Sequence, residues 1–303
     1  MIKLHHKGTQ LEYSTYLRTG SGGDIEIKDL SVDYKGYLFV AGSTSCDEHS
    51  FPVGNEIPGF ESKQKGFFDG FVMKLNPTGT SFQFSTFIGG TGDDSINAID
   101  IDLNGAVYLT GETSDGPKDV NEFFSFPIGS NYPGYNTIYH ASGTFLIKLD
   151  SSGTTIEYAT YLSTSGNNIG VVLRVTEKGE AIVAVNTYDG QLPIHPRIPG
   201  IEKKYKGGNE GYIVKFNPSG TMIDFTTFIG GNTNDSITSL ALDTAGKVYV
   251  TGTTLSTEND DFPIGQDLPG YNSTYNLLIR ESYVISLDLS ENTYHFSTYL
   301  SHK

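Results

Sequence analysis

Short runs of alternating apolar and polar residues, separated by glycine-containing turns, recur along the chain. Residues 95–101 alternate in this way, which predicts a strand with one buried face. The next segment, Asp102-Leu-Asn-Gly105, predicts a tight turn, because Asp and Asn bond to nearby backbone and Gly adopts a positive φ. Residues 107–111 are rich in β-branched and aromatic side chains and predict the return strand. No segment sustains a 3.6-residue period, so the pattern predicts strands rather than long helices.

One motif, an aromatic pair separated by two small residues, occurs five times. Its copies begin at intervals of 71, 74, 67 and 71 residues, at Tyr13, Phe84, Tyr158, Phe225 and Phe296. Between copies, three further elements recur in a constant order: a hairpin turn ending in Gly, a loop with Pro followed by Pro-Gly, and a turn resembling Lys-Leu-Asn-Pro-x-Gly. The third copy of the hairpin keeps Gly179 but has Thr176 where the others have Asp. Together these elements predict four strands in each repeat.

We therefore predict an all-β fold, a β-propeller of four tandem four-stranded blades of about 70 residues each. The blades form either a closed four-bladed ring or part of a larger propeller. The first strand of each set is expected to line the central axis and the aromatic motif to be outermost. Residues 1–10 are predicted to be an N-terminal tail and residues 11–300 a single repeat domain. The repeats cover residues 18–88, 89–162, 163–229 and 230–300, and residues 11–17 form an extra strand of the outermost type.

These combined motifs resemble the SBBP family of bacterial β-propeller repeats. The resemblance rests on Tyr13-Ser-Thr-Tyr-Leu17, the Asp102-Leu-Asn-Gly105 hairpin, the Phe-Pro loops and the Lys74-Leu-Asn-Pro-Thr-Gly79 turn. It implies a secreted or cell-surface protein, and it brings no catalytic residues to this sequence. The basic start of the chain lacks an apolar run, so no signal peptide is predicted.

The net charge of -15 excludes a nucleic-acid-binding role, because phosphate contacts need a basic surface. No stretch approaches the roughly 18 apolar residues that span a bilayer, so no membrane insertion is expected. We predict no catalytic residues, since the seven histidines are scattered and no G-x-S-x-G motif occurs. We also predict no cofactor and no metal; the alternative is a Ca²⁺ site on Asp93, Asp94 and Asp235, in loops where carboxylates could converge.

The loops between the second and third strands are the predicted binding sites for a protein or glycan partner. They are long and carry aromatic and amide side chains that suit adaptable recognition, namely Tyr132, Tyr135, Tyr139, Tyr271 and Tyr275. The alternative interpretation is a surface loop anchored by Pro and Gly that binds nothing. The surplus outer strand leaves open sheet edges, which offers a route to self-association through the terminal blades.

Three functions follow as hypotheses. The first is a non-enzymatic module for binding or scaffolding on a secreted or surface protein. The second is a propeller hydrolase or lyase with a metal-assisted site in the central channel, which requires polar groups on the first strands to converge, among them Asp29, Asn97, Asp100 and Arg174. The third is a structural repeat of a surface fibre or appendage.

Overall fold

The structure, a computed structural model, consists of strands joined by turns and loops. It describes residues 1–17, 22–54, 56–114, 126–138, 142–163, 167–264, 268–275 and 280–300. These residues form 18 strands in five antiparallel sheets and no helix, which confirms the all-β class. No helix in this part of the chain is therefore long and apolar enough to cross a membrane.

Four of the sheets contain four strands each, in chain order from one edge to the other. Sheet I comprises β3 (Ile25–Val32), β4 (Leu38–Thr44), β5 (Asp69–Leu75) and β6 (Phe82–Ile88). Sheet II comprises β7 (Asp94–Ile101), β8 (Val107–Thr113), β9 (Gly143–Leu149) and β10 (Ile156–Tyr161). Sheet III comprises β11 (Asn168–Val175), β12 (Ala181–Thr187), β13 (Glu210–Phe216) and β14 (Ile223–Ile229). Sheet IV comprises β15 (Asp235–Leu242), β16 (Val248–Thr254), β17 (Glu281–Asp288) and β18 (Thr293–Tyr299).

The fifth sheet has two strands, β1 (Ile2–Leu4) and β2 (Leu11–Ser14), and is called the terminal hairpin below. The segment predicted as a tail, residues 1–10, thus contains a paired strand. The signal for it is present in the sequence, since Ile2-Lys-Leu4 parallels Met73-Lys-Leu75. A His pair stands where the complete repeats have Asn-Pro or a similar turn, and this replacement hides the similarity.

The turns between first and second strands are held by a side chain that caps the backbone. Asp102 Oδ1 accepts hydrogen bonds from the N–H groups of Asn104 (2.9 Å) and Ala106 (3.0 Å). In the third copy, Thr176 Oγ1 replaces the carboxylate and accepts from the Glu180 N–H at 3.2 Å. A short acceptor at this position is therefore enough to hold the turn.

The core lies between successive sheets, and the aromatic motif contributes to two interfaces at once. Phe84 packs towards sheet II with Phe145 and Ile156, whereas Phe87 packs on the opposite face of sheet I with Phe51. Successive residues of a strand point to opposite faces, so positions i and i+3 lie on different sides. Each sheet is consequently apolar on both faces and needs a neighbour on each side.

Each first strand packs against the first strand of the next sheet along the chain. This packing joins β3 to β7, β7 to β11 and β11 to β15, and no comparable packing joins β15 back to β3 within the described residues. Three apolar side chains of β3 are accordingly exposed: Ile27, Leu30 and Val32. The counterparts of Ile27 and Leu30 on β7, Ile96 and Ile99, are fully buried.

Candidate functional site

Polar groups of the first strands are used to connect neighbouring sheets. The Asp29 Oδ2 atom accepts a hydrogen bond from the Ile99 N–H at 3.0 Å and so joins sheet I to sheet II. Asp100 Oδ2 accepts from the Val175 N–H at 2.7 Å and joins sheet II to sheet III. Burial raises the pKa of Asp100, although this hydrogen bond opposes the rise.

The other two polar residues predicted for the first strands also have partners within the chain. Asn97 Nδ2 donates to Glu112 Oε1 at 3.3 Å, and Arg174 donates to the Leu173 carbonyl at 2.7 Å. The structure therefore places all four side chains on the predicted strands. Asp29 and Arg174 act electrostatically on the carboxyl group of Asp100, whereas Asn97 pairs with Glu112.

Asn186, on the second strand of sheet III, also connects two sheets, although the sequence analysis did not predict this. Its Nδ2 donates to the Ile237 carbonyl at 3.0 Å, and its Oδ1 accepts from the Ile237 N–H at 2.8 Å. Both hydrogen-bonding groups of one residue in sheet IV are thereby satisfied. No sequence pattern marks this position, because the two partners are 51 residues apart.

Two of the predicted metal ligands, Asp94 and Asp235, occupy equivalent positions at the start of a first strand but in different sheets. Asp94 Oδ2 accepts from the Gly90 N–H at 2.7 Å, and Asp235 Oδ2 accepts from the Gly231 N–H at 2.7 Å and from Ser256 Oγ at 2.9 Å. The Thr254 hydroxyl also donates to Asp235. Each buried carboxylate thus orders the turn that enters its own sheet.

The third predicted ligand, Asp93, is exposed and lines a cavity of about 410 Å³ between sheets I and II. Its Oδ1 accepts from the Phe68 N–H at 3.2 Å. The same cavity contains an ion pair of 2.6 Å between Lys28 and Glu26. Asp94 and Glu112 also line this cavity and accept hydrogen bonds from the Gly90 N–H and from Asn97 Nδ2, respectively.

A second carboxyl position, which the sequence analysis missed, lies at the start of the third strands. Asp69 accepts from the N–H groups of Lys65 (2.8 Å) and Gly66 (2.9 Å), and burial raises its pKa to about 6. Glu210 Oε2 accepts from the Lys206 N–H at 2.8 Å. Burial, reinforced by the negative charge of Asp235, raises the pKa of Glu210 to about 7.

A cavity of about 730 Å³ lies beside Glu210, between the loops of sheets III and IV. Lys206 enters it and forms a 3.2 Å ion pair with Glu202 and a 2.8 Å hydrogen bond with the Asp261 carbonyl. The aromatic rings of Phe262 and Tyr294 form part of the wall. This arrangement has the mixed polar and aromatic lining of a ligand cavity.

The tyrosine loops fold back onto the outer strand of their own sheet. The Pro133 carbonyl accepts from the Ala159 N–H at 2.9 Å, and Thr160 Oγ1 accepts from the Asn136 N–H at 2.8 Å. The Pro199 and Pro269 carbonyls accept from the outer strands of their own sheets in the same way. These loops therefore pack along the outer strand of their own sheet and stabilise it through hydrogen bonds.

Three of the predicted ligand-binding tyrosines contact other aromatic rings of the fold, and of these Tyr135 is still 43% exposed. Tyr132 makes an edge contact with Phe60 at 6.4 Å, Tyr135 with Phe216 at 6.2 Å and Tyr275 with Tyr299 at 5.6 Å. Tyr271, the counterpart of Tyr135, is 75% exposed. Tyr135 contacts Phe216 of the next sheet, whereas no sheet follows sheet IV among the residues that the structure describes. Tyr139 lies outside the described residues.

One group of three potential metal ligands occurs among the described residues, in the last turn of sheet IV. The ligand atoms of Asp288, Glu291 and His295 lie within 4.8 Å of one another. Hydrogen bonds from Ser290 are the main cause of a lowered Asp288 pKa, about 2. Asp288 stands where Asn76 caps the corresponding turn of sheet I, so turn capping explains its position.

Comparison with known proteins finds a matching repeat family and a similar solved structure. The sequence profile of the family described as "Beta-propeller repeat" (SBBP) matches residues 12–46, which include most of β2 and all of β3 and β4, and this confirms the SBBP resemblance there. A solved structure from Dyadobacter fermentans DSM 18053, described as a protein of unknown function, is similar with a TM-score of 0.49. It is 8% identical, and the match covers 92% of this chain and 70% of that one. No curated protein matches the chain.

Proposed function

We propose that the four four-stranded sheets are consecutive blades of a β-propeller with more than four blades, and that the chain acts as a non-enzymatic binding or scaffolding module. The observation that carries the proposal is the pair of uncovered faces at the two ends of the array. Sheet I exposes Leu30 and Val32, and sheet IV exposes Tyr271 and Leu300. Apolar surface of this kind on a soluble protein is typical of a protein interface.

The polar residues of the first strands support a structural role for the central channel. Asp29, Asp100 and Asn186 connect adjacent sheets through hydrogen bonds to backbone groups. A hydrolase or lyase would need an acid, a base or a nucleophile within reach of one substrate position. We therefore infer that the partner is a protein that continues the array of sheets, rather than a substrate held at the axis.

Light scattering on a sizing column tests this proposal. We expect the mass to rise above the 33.0 kDa of one chain as the concentration increases, because the end faces bury apolar surface on association. The double substitution Leu30→Asp with Val32→Asp should return the chain to a monomer. Met222→Asp, which charges an exposed apolar residue outside the end faces, is the matched control.

A mass of 33.0 kDa at every concentration, unaffected by the double substitution, would contradict the proposed open array. We further propose an extracellular or cell-surface setting, on the resemblance to the SBBP family alone. Protease treatment of intact cells that express the natural protein tests that setting, since an exposed chain is digested without lysis.

A further inference from the structure

The terminal hairpin reproduces the third and fourth strands of a complete sheet. Lys3 is opposite Tyr13 and Leu4 is opposite Leu11, with a shift of register between Lys3 and Leu4. In sheet I, Lys74 is opposite Phe84 and Leu75 is opposite Phe82, with a shift at the same place. Because register fixes which face each side chain occupies, the hairpin presents the same faces as the outer half of a sheet.

The hairpin also contacts sheet I as one complete sheet contacts the next. A Cβ atom on Gly79 would lie 2.6 Å from the Tyr13 ring. A Cβ atom on Gly153 would overlap the Phe84 ring in the same way. Leu17 and Met1 add apolar contacts with the face of sheet I that carries Phe71 and Phe87. The terminal hairpin therefore occupies the position of the outer half of a preceding sheet.

No described strand occupies the place of the first and second strands of that preceding sheet. Ile2, Leu4 and Tyr16 are 69%, 57% and 94% exposed, whereas their counterparts Met73, Leu75 and Phe87 are buried. Among the described strands, β1 has a single hydrogen-bonded neighbour, β2, while β5 lies between β4 and β6 and its face is also covered by the terminal hairpin. Ile2, Leu4 and Tyr16 therefore lack both a neighbouring strand and a covering sheet. One edge of β1 consequently keeps free backbone donors and acceptors beside exposed apolar side chains.

The adjoining part of sheet I is uncovered as well. Between sheets I and II, β7 is covered mainly by β3 and β4, the first two strands of the preceding sheet, and to a smaller extent by the third strand, β5. On sheet I the equivalent strand is β3, where Ile27, Leu30 and Val32 are exposed. The free edge of β1 and the exposed face of β3 therefore border one slot with room for two strands.

We propose that this slot binds a β-hairpin with the pattern of the first and second strands of the repeat, followed by its Phe-Pro loop. The inference rests on the proposed function, since it presumes an array that continues beyond sheet I. The three interfaces between sheets I to IV support it, because in each of them the first and second strands, together with the third, cover the face that is open here. Pairing of an added strand with an exposed edge supplies main-chain hydrogen bonds, and alternate side chains supply specificity.

The loop has a defined role in this binding. In sheet I, Phe51 of the Phe-Pro loop packs against Phe87 with 5.1 Å between ring centroids. In sheet IV, Phe262 stacks on Tyr299 at 5.9 Å. Tyr16 is the counterpart of Phe87 and Tyr299, so the aromatic ring of an incoming loop is expected to cover it.

Residues 234–264 of this chain provide a suitable probe of known register. In sheet IV, Val248 is opposite Leu287 and Val250 is opposite Ile285. Leu4 and Ile2 are the counterparts of Leu287 and Ile285. Val248 and Val250 of the probe should therefore pair with Leu4 and Ile2, respectively.

The experiment adds a second copy of residues 234–283 in front of Met1 of the full chain. This extension supplies the first two strands, the Phe-Pro loop and the start of the third strand, in the order in which a complete repeat has them. The measurement is hydrogen–deuterium exchange of residues 2–4. We expect exchange at least tenfold slower than in the unextended chain, since β1 becomes an internal strand.

The matched control carries Val248→Asp and Val250→Asp in the added copy only, which prevents apolar pairing without changing the rest of the chain. Exchange of residues 70–75 monitors the integrity of sheet I in all three proteins. Equal exchange of residues 2–4 in the two extended chains would overturn the proposed slot. Slow exchange of these residues in the unextended chain would instead overturn the proposed open array, so the two failures are distinguishable.

Discussion

Glu210 provides the sharpest test of how burial affects the ionisation of a carboxyl group in this fold. This residue begins β13 and is fully buried. Its Oε2 accepts the Lys206 N–H, while Oε1 has no hydrogen-bond partner. Asp235 and Glu202 add negative charge nearby, and Lys206 adds positive charge. Ionised Glu210 is therefore poorly compensated, and we consider the substitution Glu210→Gln, which keeps the shape and removes the charge.

The sign of the pH dependence follows from the direction of the pKa shift. The pKa rises from 4.5 in the unfolded chain to about 7 in the folded protein. Between these values the unfolded chain has released the proton and the folded protein still holds it. The contribution of Glu210 to stability is thus complete below pH 4.5 and is lost as the pH rises through about 7. The shift corresponds to about 3 kcal/mol in the free energy of unfolding.

Urea unfolding of the wild type and of Glu210→Gln, at pH 5 and pH 8, measures this difference. We expect the two proteins to be similar at pH 5 and the variant to be more stable by roughly 2–3 kcal/mol at pH 8. Asp69 shifts in the same direction, to a pKa of about 6, so a residual dependence on pH remains in both proteins. Comparison of variant with wild type cancels that shared contribution.

Glu56→Gln, which removes an exposed carboxylate, serves as the control and should leave the pH profile of the wild type unchanged. A stability difference between Glu210→Gln and the wild type that is the same at both pH values would refute the reasoning. It would mean that Glu210 ionises in the folded protein as readily as in the unfolded chain.

Two further predictions concern packing and inter-sheet bonding. Gly153→Ala should destabilise the protein by about 2–4 kcal/mol in urea unfolding, since it combines a left-handed φ with overlap on Phe84. Gly246→Ala, with a similar φ but open space around the added methyl group, should cost only about 1 kcal/mol; equal losses would contradict the packing argument. Asn186→Ala should cost about 2 kcal/mol, because both backbone groups of Ile237 lose a partner. An unchanged urea midpoint for that variant would show that water replaces the amide.

The strands and turns of this protein are readable from the sequence because they depend on residues that are close together in the chain. Alternation in residues 95–101 specifies a strand with two different faces. A short acceptor at position 102 or 176, followed by glycine, specifies the turn. The aromatic motif also indicates packing on both faces of a sheet. Repetition of the same local signals makes the prediction of four-stranded units secure.

The candidate sites were only partly predictable. Asp29 and Asp100 lie on the strands where they were expected, but their function is to hold the adjacent sheet. Asp94 and Asp235 are equivalent residues of separate sheets and order separate turns. The burial of Glu210 was not predicted, because the residues next to a glutamate at the start of a strand do not indicate which distant parts of the fold will cover it.

The sequence by itself determined the repeating unit, its strand order and the positions of its turns, since these follow from interactions within about 70 residues. Only the tertiary structure decided which faces of the array stay open. Exposure of Tyr16, Leu30 and Tyr271 results from the lack of a covering sheet on either end. Equivalent side chains differ in exposure between copies, because burial depends on neighbours that are distant in the chain and not on the local pattern.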